Sequence, residues 1–220
     1  MIRYTAAAPP FMKNGFVLGC ERTQEAVVID PGDEVAELLA FIVDQRLQPR
    51  AILLTHAHVD HVSGVGAAKR DLRVPVWLHQ DDQPLYERAA AQAAMFGIAV
   101  EQPPPVDQYY SGDGPWGRFG DYEVSVHHTP GHCPGGVCLA VQRVADPRRL
   151  EGLFVGDTLF AGSIGRTDLP GGHHPTLMRS ITEVLFRFPD EAVVYSGHGP
   201  ETTIGRERAT NPFVLDWLRD

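Results

Sequence analysis

The chain has 220 residues, of which 43% are hydrophobic and 21% are charged, as in a folded globular protein and unlike a disordered chain or a membrane protein. Its formal net charge of -9 and its lack of a basic run argue against a nucleic-acid partner, because binding phosphates requires clustered Lys and Arg. No segment approaches the ~20 consecutive apolar residues of a membrane-spanning helix, and the first residues lack a signal peptide's apolar core. We therefore expect a cytoplasmic protein without a membrane partner.

The first half of the chain alternates between strand and helix patterns. Short runs rich in Val, Ile and Leu predict strands, apolar residues at helical spacing predict helices, and Pro31-Gly32 predicts a stop. The last helix of this half is expected to begin with acidic residues and to end at Gly97. The predicted elements are strands 15–20 and 25–30, helix 33–47, strand 50–55, helix 62–72, strand 74–79 and helix 81–97.

A segment rich in Pro and Gly, residues 101–121, is predicted as loop or turn and divides two halves of similar size. The second half repeats the pattern, with strands 122–129, 135–142 and 152–160, helix 176–186 and strand 192–199. No internal repeat is evident, and residues 1–220 are predicted to form one domain. The alternation predicts an α/β fold in which sheets are sandwiched between helices and reactive residues lie at strand ends.

Four possible metal ligands follow the strand that ends near Leu54: His56, His58, Asp60 and His61. Imidazole and carboxylate groups are the ligands of catalytic zinc, iron or manganese, whereas structural zinc usually recruits thiolates. If the segment is extended, His56, His58 and Asp60 share one face and His61 points elsewhere. This division favours two neighbouring ions over one. The alternative to a metal site is a polar loop whose side chains hydrogen-bond to one another.

Three residues in the second half also follow strand-like runs: His132, Asp157 and His198. Each has an ordinary explanation when it is taken alone, as a turn histidine, a strand-terminal aspartate and a loop histidine. With the first four they make five histidines and two aspartates, which is enough for two ions. The three cysteines form no CxxC pair and are expected to be small core or turn residues, with Cys133 next to His132.

This pattern resembles the metallo-β-lactamase superfamily of binuclear hydrolases over essentially the whole chain. Further motifs are similar to the hydroxyacylglutathione hydrolase, or glyoxalase II-like, branch. They are VIDPG at 28–32, TPGH at 129–132, GDTLF at 156–160, GSIGRTDLPGG at 162–172 and SGHGPETTIGRERATNPF at 196–213. The resemblance implies an αββα sandwich of two mixed β-sheets flanked by helices.

The resemblance also implies a binuclear metal centre and a reaction. One metal is expected on His56, His58 and His132, and the other on Asp60, His61 and His198, with Asp157 bridging them. Zinc is the expected metal, with iron and manganese as alternatives. A metal-bridging hydroxide is expected to attack a thioester carbonyl, with Asp60 and Asp157 as catalytic residues and Asp30 orienting a ligand.

The implied substrate is a small-molecule thioester such as S-lactoylglutathione. Only 22 residues follow His198, so the helical C-terminal domain that helps this branch to grip glutathione is expected to be missing. Arg166 and Asp168 stand where the branch has a lysine and a tyrosine, and they are candidate substrate-binding residues. A local salt bridge between Arg166 and Asp168 is an equal alternative. The sequence gives no indication of an oligomeric state.

Other activities use overlapping residue sets. The related persulfide dioxygenase holds one iron through positions matching His56, His132 and Asp157, and is the main alternative. A lactonase or other small-ester hydrolase is less expected. So is a true β-lactamase, since His61 directly follows Asp60 and no cysteine stands near Asp157. A metal-binding scaffold without turnover is the last alternative, because open metal positions suit reaction better than storage.

Overall fold

Two six-stranded β-sheets lie face to face in the computed structural model, which describes residues 1–110 and 112–219. The first three strands of the first sheet are antiparallel, and its third to sixth strands are parallel, so that this sheet is mixed. In spatial order its strands are β1 (Ile2–Ala8), β2 (Lys13–Gly19), β3 (Glu25–Ile29), β4 (Gln48–Leu53), β5 (Val76–His79) and β6 (Gln108–Tyr110).

The second sheet is also mixed, because one of its neighbouring pairs is parallel and the others are antiparallel. Its strands in chain order are β7 (Gly114–Phe119), β8 (Tyr122–His128), β9 (Val137–Arg143), β10 (Asp146–Gly156), β13 (Val193–Ser196) and β14 (Thr202–Thr203). Between β10 and β13 the chain forms a small hairpin, β11 (Leu159–Phe160) and β12 (Ser163–Ile164). In space the order is β14-β13-β10-β9-β8-β7, and the parallel pair is β10 with β13.

Helices cover the outer face of each sheet. The first sheet is covered by α1 (Val35–Asp44), α3 (Val65–Leu72), α4 (Gln83–Tyr86) and α5 (Ala89–Met95), while the single turn α2 (Val59–Val62) follows β4. The second sheet is covered by α6 (His174–Arg179), α7 (Ile204–Thr210) and α8 (Pro212–Trp217). In the described ranges, no helix is long and apolar enough to span a bilayer.

The alternation of side chains along the strands explains the four layers. In β3, Val27 and Ile29 point into the core between the sheets, whereas Ala26 and Val28 join the core beneath the helices. The same division holds in β9, where Leu139 belongs to the central core and its neighbours Cys138 and Ala140 pack under the helices of the second sheet. The expected αββα sandwich of two mixed sheets is thereby confirmed.

The structure corrects the expectation that residues 101–121 are only loop or turn. This segment contains β6 and β7, the edge strands of the two sheets. Tyr110 and Phe119 are buried between the sheets and Trp116 packs against them, so burial of aromatic side chains outweighs the turn tendency of Pro and Gly.

Three predicted helices are interrupted. Helix 62–72 becomes α2 and α3, separated at Gly64, where a Cβ atom would lie 2.2 Å from the carbonyl oxygen of Gly32. Helix 81–97 becomes a 3-10 turn over Gln80–Asp82 followed by α4 and α5, with Gly97 in the left-handed region beyond the end. Helix 176–186 becomes α6 followed by a π turn and a 3-10 turn.

Candidate metal centre

The seven predicted ligands all lie just beyond strand ends at one edge of the sandwich. His56 and His58 follow β4, His132 follows β8, Asp157 directly follows β10, and His198 follows β13. The last two, Asp60 and His61, lie in the first turn of α2, which begins at Val59. The chain is therefore not extended through Asp60 as expected. It is extended only as far as His58. The helical turn that follows directs Asp60 and His61 towards the ligand candidates at the ends of the other strands.

These residues form two groups of donor atoms, each within 4.8 Å of one another. The first group consists of His56, His58 and His132, and Nδ1 of His58 lies 2.8 Å from Nε2 of His132. The second group consists of Asp60, His61, Asp157 and His198, and Nε2 of His198 lies 3.0 Å from Oδ2 of Asp60. This is the same division that the sequence resemblance implied.

Asp157 lies between the two groups. Its Oδ2 atom is 3.7 Å from Nε2 of His132 in the first group and 3.6 Å from Nε2 of His198 in the second. Its Oδ1 atom is 3.3 Å from Nε2 of His61. One carboxylate thus faces both groups, which is the arrangement that a bridging ligand requires.

Three buried atoms of this cluster have no hydrogen-bond partner among the described residues: Nε2 of His56, Nε2 of His61 and Oδ1 of Asp157. An unpaired buried polar atom is costly, and nearly all such atoms in proteins find a partner. Because these atoms belong to different residues and converge on one place, divalent cations would satisfy them together. The residues present therefore fit a binuclear site of nitrogen and carboxylate ligands.

The protonation of the two groups differs. Burial and the neighbouring His132 lower the pKa of His58 to about 4, and burial also lowers the pKa of His56 well below its ordinary value. Burial opposes protonation of His61, but the carboxylates of Asp60, Asp157 and Asp30 raise its pKa to about 10. His56 and His58 thus offer neutral imidazoles, while the carboxylates around His61 favour a positive charge at this position, either a proton or a metal cation.

Asp30 orients His61. It is buried, and its Oδ2 atom accepts hydrogen bonds from Nδ1 of His61 at 2.9 Å and from the hydroxyl of Thr55 at 2.6 Å. Its Oδ1 atom accepts from the backbone N–H of Thr55 at 2.7 Å. With Nδ1 donating, Nε2 of His61 is left as the free ligand atom that faces Asp157.

A buried ion pair between Lys13 and Glu34, which the sequence did not reveal, contacts the backbone of Asp30. The ammonium of Lys13 donates to the carbonyl oxygen of Asp30 and, at 2.6 Å, to Oε1 of Glu34. Glu34 also accepts from the backbone N–H of Gly32 at 2.9 Å. A Cβ atom at Gly32 would lie 2.1 Å from the carbonyl oxygen of Asp60, which explains why this position of the VIDPG motif needs glycine.

The loop after β12 orients His132. Nδ1 of His132 donates to the backbone carbonyl oxygen of Arg166 at 2.8 Å, which leaves Nε2 facing His58 and Asp157. A Cβ atom at Gly165 would lie 1.9 Å from the carbonyl oxygen of Asp157, so the GSIGRTD motif packs directly against the cluster. The backbone of Arg166 thus has an orienting role that sequence analysis missed.

Arg166 and Asp168 form a two-bond ion pair, with Nε and one terminal nitrogen of Arg166 each 2.7 Å from a carboxylate oxygen of Asp168. Both side chains are more than half exposed, and this pairing lowers the pKa of Asp168 to about 2. The salt bridge is therefore formed, and it leaves Arg166 little free positive charge.

Asp82 joins the two loops that carry the first group, and sequence analysis missed it as well. This buried carboxylate accepts from the backbone N–H of Ala57 at 2.9 Å, from the backbone N–H of Gly135 at 2.6 Å and from the thiol of Cys133 at 3.2 Å. Ala57 separates His56 from His58, and Cys133 follows His132. The role of Cys133 is thus to help hold these loops together, and all three cysteines are free and buried.

A cavity of about 200 Å³ opens onto the cluster. Its polar base is formed by ligand candidates from both groups, and its walls include Phe11, Phe96 and Leu169 together with Arg166. A small molecule in this cavity would therefore contact both the cluster and several apolar side chains.

Comparison with known proteins agrees with this geometry. The family model of the metallo-beta-lactamase superfamily matches residues 8–198. The protein named hydroxyacylglutathione hydrolase GloC of Haemophilus influenzae is 35% identical over 194 residues, which are 87% of this chain and 88% of that protein.

Similar solved structures carry several different names. The B3 metallo-beta-lactamase BLEG-1 is 37% identical, with a TM-score of 0.86 over 97% of this chain and 99% of that one. TTHA1623 in a di-iron-bound form is 41% identical, with a TM-score of 0.82 over 96% and 99% of the two chains. ETHE1 from Myxococcus xanthus is 26% identical, with a TM-score of 0.78 over 98% and 85%.

Proposed function

This chain belongs to the metallo-beta-lactamase superfamily, and we propose that it is a binuclear metal-dependent hydrolase of small thioesters of the S-lactoylglutathione type. The observation that carries the proposal is the position of the Asp157 carboxylate between two groups of donors. Three buried atoms of these groups lack a hydrogen-bond partner among the described residues. In this proposal His56, His58 and His132 hold one ion, Asp60, His61 and His198 hold the other, and Asp157 bridges them. Zinc is the proposed metal, with iron as its main competitor because a 41% identical structure is named as di-iron-bound.

Two divalent ions sharing a water would lower its pKa towards neutrality and stabilise negative charge on a carbonyl oxygen. The chain's own residues orient the metal ligands and the attacking water. Asp30 and the Arg166 carbonyl fix the tautomers of His61 and His132, and the carboxylate of Asp60 lines the cavity, where it orients the attacking water. In the overall reaction the carbon–sulfur bond breaks, a carbon–oxygen bond to water forms, and a carboxylate and a thiol are released.

The lining of the cavity favours a thioester over an amide. Its histidines and aspartates are all assigned to the metals in this proposal, and the described lining contains no lysine, tyrosine or cysteine that could protonate a poor leaving group instead. A thiolate needs little protonation to leave, since its conjugate thiol has a pKa near ~8.5. Arg166 and Asp168 are proposed to contact the substrate as an ion pair at the cavity wall, not as a free cation.

A cytoplasmic location completes the proposal, supported by the three free, buried thiols, which suit a reducing compartment.

A mononuclear iron persulfide dioxygenase is the second candidate, because the ligand set that the sequence resemblance implies for its iron is contained in the cluster. His56, His132 and Asp157, the positions implied for its iron, are all present in the cluster. This candidate leaves His58, Asp60, His61 and His198 without a role, although their donor atoms also converge.

The decisive experiment combines metal analysis of protein purified without added metal with an activity panel. The panel contains S-lactoylglutathione, a simple lactone, glutathione persulfide and a β-lactam, the last because of the 37% identical B3 metallo-beta-lactamase. We expect two metal equivalents per chain and release of free thiol from the thioester. One iron with oxygen uptake on the persulfide would establish the dioxygenase instead, and bound metal without any turnover would establish a scaffold.

A further inference from the structure

A second cavity, of about 270 Å³, adjoins the one that opens onto the metal cluster. The two cavities share His58, Gln92, Phe96 and Leu169, so they form one continuous depression. The second cavity, which we name the α5 groove, is otherwise lined by Leu85, Arg88, Ala91, Met95 and Pro170. It leads away from His58 across the surface of α4 and α5, and nothing in the proposed chemistry uses it.

The α5 groove is mostly apolar, and two of its large apolar side chains are exposed. Met95 is 78% exposed and Phe96 51% exposed, and neither belongs to any of the three core clusters. Phe96 also meets Phe11 edge to face across the metal cavity, with ring centroids 5.9 Å apart. An exposed apolar patch continuous with a reactive site indicates a surface for binding an apolar ligand.

The side of the groove formed by α4 and α5 is fixed to the metal loop. Nε2 of Gln92 donates to the carbonyl oxygen of Leu85 at 2.7 Å and to that of Ala57 at 3.3 Å, between His56 and His58. A molecule lying in the groove is therefore held at a fixed distance from the first ligand group. This attachment makes the groove an extension of the reactive site.

Arg88 supplies a positive charge to the groove beyond the metal cavity. Within residues 1–110 and 112–219, no carboxylate oxygen lies within 4.0 Å of its guanidinium, whereas the charge of Arg166 is matched by Asp168. An unpaired guanidinium at the side of an apolar groove suits an anionic group at the end of an apolar chain.

We infer that one of the two arms of the thioester substrate is an apolar chain that lies in the α5 groove and ends in an anionic group at Arg88. The inference rests on the proposed thioester hydrolysis and narrows its substrate class. The natural substrate is then an amphipathic thioester.

The first test varies the length of each arm separately. One series keeps the thiol constant and lengthens the acyl group from acetyl to butanoyl, hexanoyl and octanoyl, and the other keeps the acyl group constant and lengthens an alkyl thiol. We expect kcat/KM to rise about two- to fourfold per methylene in one series until the groove is filled, because each buried methylene contributes a nearly constant free energy. Rates that do not change with length in either series would overturn the inference while leaving thioester hydrolysis intact.

The second test removes the groove residues. Met95→Gln should lower kcat/KM for the six-carbon member of the length-dependent series by roughly threefold more than for its two-carbon member. Arg88→Met should act selectively on members of that series that carry a terminal carboxylate. Val43→Gln, at a 77% exposed position on α1, is the matched control and should leave the length dependence unchanged. Equal losses on all substrates would overturn the inference, and no hydrolysis of any thioester would overturn the proposed function together with it.

Discussion

Two regions of this protein place histidines and carboxylates close together, and they differ in what those groups contact. One is the seven-residue metal cluster, and the other is a group formed by His79, Asp81 and His128, whose donor atoms also lie within 4.8 Å of one another. His79 is the last residue of β5 in the first sheet, and His128 is the last residue of β8 in the second sheet. The ligand candidates likewise follow strand ends, those of β4 and β8 among them.

In the second group the polar atoms already have local partners. The rings of His79 and His128 stack at 4.2 Å with an angle of 10° between their planes. Nε2 of His128 donates to the carbonyl oxygen of Pro134 at 2.9 Å, Nδ1 of His79 accepts from the backbone N–H of Asp81 at 3.3 Å, and the Asp81 carboxylate is 58% exposed. In the metal cluster, by contrast, three buried atoms lack a hydrogen-bond partner in the part of the chain that the structure describes, and Asp30 orients His61 through its other ring nitrogen. Proximity alone does not make a metal site, because the donor atoms must be both free and held in place.

The largest expected effect is the loss of a ligand candidate from the metal cluster, compared with the loss of a histidine from the second group. His58→Ala should reduce thioester hydrolysis by roughly 100-fold or more, because an ion held by fewer ligands is lost together with several kcal/mol of transition-state stabilisation. His79→Ala should keep its metal content and its activity near the values of the unchanged protein. Metal analysis and steady-state kinetics measure both, and near-normal turnover of His58→Ala with one remaining iron would contradict the binuclear model.

The second prediction removes an orienting group without touching a cavity-facing atom. Asp30→Asn should weaken metal binding by about 10- to 100-fold, because the amide no longer holds His61 with a charged hydrogen bond. Chelator competition measures the change, and Asp33→Asn, which alters a hydrogen bond to Ser63 instead, is the matched control. Equal metal affinity for Asp30→Asn and the control would show that Asp30 has only a structural role.

The third prediction separates two adjacent aspartates that belong to different regions. Asp82→Ala should lower the free energy of unfolding by roughly 1–3 kcal/mol, because the backbone N–H groups of Ala57 and Gly135 lose their buried acceptor. Asp81→Ala, at an exposed position, should change it by less than about 0.5 kcal/mol. Denaturant unfolding with and without chelator compares the two, and similar stabilities would disprove the linking role of Asp82.

The smallest expected effect is a pH dependence of the second group. Burial, and then the neighbouring His128, lower the pKa of His79 below its unfolded value near 6.5, so the unfolded chain binds more protons just below that pH. The stability due to neutral His79 is therefore present above pH 6.5 and is lost as the pH falls below it. The stability difference between the unchanged protein and His79→Gln should shift in favour of the variant between pH 7.5 and pH 5.5. Because the metal ligands are common to both proteins, comparing the two isolates His79, and a constant difference would refute the assignment.

The sequence by itself predicted most of this architecture. The alternation of strand and helix patterns predicted sheets sandwiched between helices, and the resemblance to the metallo-β-lactamase superfamily implied the αββα order of two mixed sheets. The seven ligand candidates were found because each follows an apolar run, and strand ends meet at one edge of a sheet. The ligand roles of these residues stay a prediction that metal analysis can test.

Tertiary structure decided what local patterns do not contain. The edge strands β6 and β7 form because aromatic side chains are buried between distant strands, although Pro and Gly favour turns. Lys13, Glu34 and Asp82 carry no motif of their own, and their positions at the metal loops depend on contacts between residues 21 to 53 positions apart. The α5 groove exists only where α5 meets the loop at Leu169. Long-range packing, which no sequence window contains, thus fixes both the support of the metal centre and the surface proposed for its substrate.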